Sequence, residues 1–211
     1  MPLQRANDAE LYYELRGDGP PLLLMMGASG YGGVFGRFAE CLADEFTVVT
    51  YDRRGNGQSP KPTGWTATSP EEQADDAAAL LAGLGLAPAA IFATSSAGIF
   101  ALAALHRHPE CVRGAVLHEP ALFALFDDPK DVRNSLIQLV QEAWRKEGRR
   151  GALSAFFASG RETQTGSAWD RASRSGCFVE VSRTPGTHFP YLDHPRELAR
   201  TVRPFLRRGS R

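Results

Sequence analysis

Residues 92 to 100 read Phe-Ala-Thr-Ser-Ser-Ala-Gly-Ile-Phe, a run of small side chains between an apolar stretch and a helical pattern. Ser95 stands at its centre, where a tight strand-to-helix turn would hold a hydroxyl clear of a sheet. Such a turn strains the backbone at the serine and demands small neighbours. The usual spacing is G-x-S-x-G; here Ala93 and Ala97 take the outer places and Gly98 follows one residue later. The same residues would suit a closely packed strand–helix corner without chemistry. A hydroxyl is a weak nucleophile at neutral pH, so the chemical role requires a base within hydrogen-bond reach. His106, His108 and Cys111 are close in sequence, but they fall at a helix end around Pro109 with no second ligand pair nearby. No metal site is expected there.

The surrounding pattern supplies elements to position Ser95. Residues 10–15 read as an early strand closed by Gly17-Asp18-Gly19-Pro20, and Leu22 to Met26 as a strand buried on both faces. A glycine-rich loop follows from Gly27 to Gly33, then Phe35, Phe38 and Leu42 at helical spacing. Phe46 to Tyr51 reads as another buried strand, ending in a polar loop, 52–59. Ser69 caps a helix with Pro70 in its first position and Glu71 and Glu72 at its positive end, and Gly85 stops it. Ala89–Ala93 predicts a strand, Ser96–Arg107 a helix, and Gly114–Leu117 a strand. Strands alternating with helices imply a parallel sheet covered on both faces.

Beyond Pro120 the pattern loosens. Val132, Leu136, Leu139, Val140 and Trp144 predict an amphipathic helix over about 130–146. Leu153 to Ala158 suits either a strand or the end of a helix. Residues 167–175 and 196–206 read as helical, with Phe178–Val181 a short strand between them.

Composition narrows the classes of function. The chain has 211 residues, with 24 basic and 24 acidic side chains interspersed, which disfavours nucleic acid or an anionic membrane as partner. Arg207, Arg208 and Arg211 read as a solvated end. No apolar run reaches the roughly 20 residues of a membrane span, and the first residues lack a signal-peptide layout. The 3 widely spaced cysteines make no disulfide framework. A cytoplasmic location is the expectation.

At several separated places the chain resembles the α/β-hydrolase superfamily. Asp52-Arg53-Arg54-Gly55-Asn56-Gly57-Gln58-Ser59 resembles its D-x-R-G-x-G-x-S loop, and the serine run follows at the expected separation. Pro185-Gly186-Thr187-His188-Phe189-Pro190 is similar to the segment that carries the catalytic histidine. The resemblance implies a mostly parallel, doubly wound α/β sheet and acyl transfer without cofactor or metal. Ser95 would be the nucleophile and His188 its base, with the backbone N–H groups of Ala28 and Ser96 forming the oxyanion hole. Many relatives carry a histidine where Met26 stands, but the donor is backbone. Glu162, two residues after Gly160, resembles the acid that orients the histidine. Glu119, at the end of the sixth strand, is the alternative, and Asp170 a third. His194 reads as a capping residue of the last helix. Haloalkane dehalogenases and epoxide hydrolases of this fold use aspartate at the elbow, so the serine disfavours both reactions.

The chain is short for the superfamily, with the deficit between Pro120 and His188. It reads as a single domain, 1–211, in which about 121–158 form a remnant cap. A small carboxylic ester is the expected substrate. A non-catalytic protein of the same fold, binding a small apolar ligand or partner, is the alternative; perhydrolysis or C–C cleavage at the same serine is another. A sheet edge left short would invite pairing into a homodimer.

Overall fold

The computed structural model describes residues 2–122, 128–159 and 190–208. Along the chain run β1 (Leu3–Ala6), β2 (Ala9–Arg16), β3 (Pro21–Met25), a 3-10 turn (Gly32–Phe35), α1 (Gly36–Leu42), β4 (Thr47–Tyr51) and α2 (Pro70–Gly83). Then come β5 (Ala89–Thr94), α3 (Ala97–Arg107), β6 (Val112–His118), α4 (Pro129–Ser159), α5 (Pro190–Asp193) and α6 (Pro195–Arg208). Among the described residues the sheet order is β1-β2-β4-β3-β5-β6. The β1–β2 and β2–β4 pairs are antiparallel, and β4, β3, β5 and β6 run parallel. This is the doubly wound α/β sheet that the alternation of elements implies.

The apolar strands are explained by two cores. Successive strand side chains point to opposite faces. Leu22, Leu24, Val48, Phe92 and Val116 enter one core, closed by Phe38 and Leu42 of α1 and Leu198, Val202 and Leu206 of α6. Leu23, Met25, Val49, Ile91 and Leu117 enter the other, closed by Ala74, Ala77 and Leu81 of α2 and Ala97, Ala101 and Ala104 of α3. A strand covered on both faces has no solvent side to keep polar.

Local signals place the helix ends. The Ser69 hydroxyl accepts from the Glu72 N–H at 3.1 Å, and Pro70 opens α2. Gly85, at φ +69°, follows its end. The periodicity predicts no strand before residue 10, yet β1 pairs with β2 across an Asn7-Asp8 turn in which Asn7 takes φ +54°. Asparagine tolerates that conformation, and a tight hairpin turn requires it. Arg207, expected at a solvated end, is 59% exposed at its side chain and also bonds Glu45, its Nη2 at 2.7 Å from Oε2. His194 stands just before α6, its carbonyl accepting from the Leu198 N–H at 3.0 Å.

A non-helical Gly148 (φ 62°, ψ −149°) breaks α4 close to the expected end at about 146, and a second helical stretch follows it. Leu153 to Ala158 is helical, not a strand. The segment carries two alanines and a leucine and lacks β-branched residues, so propensity leans toward the helix. The described residues divide into two compact units, 2–121 with 190–208, and 122 with 128–159. No described helix is long and apolar enough to cross a membrane. The helix expected over 167–175 and the strand Phe178–Val181 lie outside the described residues, as do Glu162, Asp170 and His188.

Candidate active site

β5 is buried along its whole length and delivers Ser95 to the start of α3. Ser95 is half-buried and takes φ +56°, a left-handed conformation that costs a non-glycine residue on the order of 1–3 kcal/mol. The neighbouring backbone holds it there. Its N–H donates to the His118 carbonyl at 3.0 Å, and its carbonyl accepts from Gly98 at 3.0 Å and Ala121 at 3.1 Å. Gly98 is needed for this closure, because a Cβ there would lie 2.4 Å from the Pro120 Cβ.

The loop after β3 lies directly against this turn. A Cβ on Gly27 would stand 2.8 Å from the Thr94 carbonyl oxygen, 2.9 Å from the Ser95 Cβ and 3.1 Å from the Ser96 nitrogen. Only glycine permits that approach. Among the described residues, neither the Ala28 nor the Ser96 N–H donates to another backbone group. The two N–H groups expected to form the oxyanion hole thus lie on segments packed against each other at the serine.

The polar loop after β4 builds the scaffold beneath. Buried Asp52 accepts from the Gly32 N–H at 2.8 Å and the Gln58 N–H at 2.7 Å. The Ser59 hydroxyl donates to the Asp52 carbonyl at 2.6 Å and accepts from the Tyr12 N–H at 2.9 Å. Arg54, 2% exposed at its side chain, is ringed by Asp76, Glu72 and Asp8 at 2.6, 2.9 and 2.9 Å. These charge-assisted bonds, Asp76 foremost, hold its pKa well above the ordinary guanidinium value.

Arg53 has different company. Its Nε donates to the Met26 carbonyl at 3.1 Å, Nη2 to the Gly27 carbonyl at 2.7 Å, and Nη1 to Gln73 Oε1 at 3.3 Å. Its guanidinium carbon lies 5.1 Å from the centre of the Phe100 ring. Burial lowers its pKa from the ordinary value, though an arginine stays charged at any working pH. No sequence signal singled this residue out, since it occupies an open position of the loop motif.

A second polar cluster lies under the serine. The Thr94 hydroxyl and His118 Nδ1 are 3.1 Å apart, and the buried Tyr191 hydroxyl also bonds Thr94. Burial raises the Tyr191 pKa well above the usual phenol range, and the Glu119 charge adds to the shift. The His118 ring stacks on Phe92. Each member adjoins a candidate: Thr94 precedes Ser95, His118 precedes Glu119, and Tyr191 follows His188 by three positions.

Of the expected site residues, the structure brings together Ser95, Ser96 and Ala28. Glu119 sits at φ +43° between His118 and Ala121, both bonded to the Ser95 backbone. Glu162 and His188 are outside the described residues, and the strand that would have preceded Glu162 is absent from the described fold. His108 is taken by Asp75 at 2.6 Å, and among the described residues no cluster could hold a metal.

A doubly wound sheet with a left-handed serine on the turn after a central strand, and a glycine loop pressed against it, defines the α/β-hydrolase class. The chain belongs to that family: the α/β hydrolase fold model matches residues 20–167. It is 40% identical over 159 residues to the uncharacterized hydrolase YraK of Bacillus subtilis, covering 69% of this chain and 59% of that protein. It is 36% identical over 149 residues to the pimeloyl-[acyl-carrier protein] methyl ester esterase of Chromobacterium violaceum, covering 71% and 50%. The chain therefore spans only about half the length of the curated relatives it matches. Among solved structures, a thermophilic esterase of Thermogutta terrifontis shares the fold with a TM-score of 0.72 at 20% identity, over 99% of this chain and 98% of that one.

Proposed function

We propose that this protein is a serine hydrolase that transfers the acyl group of a small carboxylic ester to water. The observation that carries the proposal is the strained Ser95 turn with the Gly27 backbone packed against it. The Ser95 hydroxyl attacks the ester carbonyl while His188 takes its proton. The negative charge that develops on the carbonyl oxygen is received by the Ala28 and Ser96 N–H groups. The intermediate collapses, the alcohol leaves with the proton from His188, and water, activated by the same imidazole, releases the acid. Glu119, second to Glu162 on sequence grounds, is put forward as the carboxylate that orients His188, supported by its place between two residues bonded to the Ser95 backbone. Glu162 is the alternative. Residues of about 121–158 serve as a reduced cap. The ester class is supported by the methyl ester esterase to which the chain is similar in sequence.

Steady-state hydrolysis of 4-nitrophenyl acetate tests this. Ser95→Ala and His188→Ala should each lower kcat by about 10⁴-fold or more, as expected of groups acting as one unit. Glu119→Gln should fall further than Glu162→Gln; the reverse order would transfer the acid role to Glu162. A folded wild-type chain with no turnover of this or other activated esters would favour the binding-protein alternative.

A further inference from the structure

We propose that Arg53 is a positioning residue that aims the oxyanion-hole loop, turning the Ala28 N–H toward the substrate by gripping the carbonyls on the other side of the same peptides. The inference rests on the hydrolase reading above for its chemistry, but its geometry stands apart from it. A trans peptide is planar, and its C=O and N–H point in opposite directions. The guanidinium holds the Met26 and Gly27 carbonyls at 3.1 and 2.7 Å. Fixing those two oxygens fixes the direction of the next two N–H groups, on Gly27 and Ala28. The Gly27 carbonyl also accepts from Gly30 at 3.0 Å, and the Arg53 N–H donates to the Gly30 carbonyl at 2.8 Å, so residue and loop are tied at both ends.

The cation is built into place. Arg53 is 6% exposed, and its planar fork has one N–H for each carbonyl and one for Gln73, itself buried. Its ring partner, Phe100, stands on α3, the helix that begins at the serine turn. The loop on one side of the serine and the helix on the other are thereby referenced to a single side chain. Among the described residues Arg53 has no carboxylate within ion-pair distance, so no ion pair cancels the charge that it brings to the two carbonyls. Lysine has one nitrogen where the guanidinium uses three, so it cannot reproduce the separate bonds to Met26, Gly27 and Gln73.

The test compares the wild-type chain with Arg53→Met and Arg53→Lys. Crystal structures of the variants need no activity. Arg53→Met should show the Gly27–Ala28 peptide rotated or split between two orientations. In kinetics with 4-nitrophenyl acetate, kcat should fall about 100-fold in Arg53→Met, the loss typical of one oxyanion donor, and by less in Arg53→Lys. KM should stay within about threefold, because the loop acts on the transition state. Affinity for a trifluoromethyl ketone, whose adduct carries the oxyanion, should fall in step with kcat. A peptide unmoved in Arg53→Met, or a loss expressed in KM alone, would overturn the proposal. Should Arg53→Met fail to fold, the same two readouts on Arg53→Lys decide it: an unmoved peptide with wild-type kcat overturns the inference. A wild-type chain with no esterase activity would sink the hydrolase reading, while the peptide orientation would still judge Arg53.

Discussion

Arg53 and Arg54 are consecutive, both buried, and build two different regions. Arg54 faces the β1–α2 flank, where Asp76, Glu72 and Asp8 surround it. Arg53 faces the loop after β3, where its partners are two backbone carbonyls, a glutamine and an aromatic ring. A buried cation with a buried anion is a tie: removing one partner strands the other. A buried cation on carbonyls leaves its charge uncancelled, and it orients the backbone that it holds. The same residue type thus serves stability on one side of the chain and the site on the other.

The sharpest way to break this contrast is Asp76→Ala. Asp76 is 1% exposed and makes two bonds to Arg54, so the variant should lose about 3–5 kcal/mol of stability in urea unfolding. Hydrolysis per folded molecule should be nearly unchanged. A large loss of kcat in the folded fraction would show that the two regions are not separable. Gly27→Ala should do the opposite. Its Cβ would collide with the Thr94 carbonyl and the Ser95 Cβ, displacing the loop and lowering kcat about 100-fold. The kcat loss should exceed any rise in KM.

Smaller effects calibrate the scale. Asp8, 74% exposed at its side chain, is the outer partner of Arg54, and Asp8→Ala should cost under about 1 kcal/mol. Glu45 marks the lower end. Its bond to Arg207 holds its pKa below the ordinary 4.5. A depressed folded-state pKa gives stability that is present above the unfolded value and lost as pH falls through the folded one. The thermal stability difference between wild type and Glu45→Gln should therefore be small at pH 7 and shrink as pH drops below about 4.5.

What the sequence disclosed was local. The Ser69 cap, the buried strands and the small-residue run at Ser95 are each set by neighbours within a few positions. The short hairpin strand Leu3–Ala6 escaped because four residues carry too little periodicity. Leu153–Ala158 is ambiguous in sequence because a short apolar run suits either element, and only the helical stretch after Gly148 decides it. The work of Arg53 was invisible for another reason. It depends on β3 and β4 lying side by side, which brings Met26 and Gly27 to a side chain more than twenty residues away. Likewise Thr94, His118 and Tyr191 come from three separated segments, and nothing in their spacing announces a cluster.

The proposed hydrolysis requires Ser95 to be an activated nucleophile. Its most direct measurement is the intact mass of the folded chain after exposure to a fluorophosphonate, with the modified peptide sequenced. A single adduct on Ser95, absent from Ser95→Ala and from His188→Ala, is the expected result. A folded chain that takes up no adduct, or takes it on Ser96 or another serine, would contradict the claim.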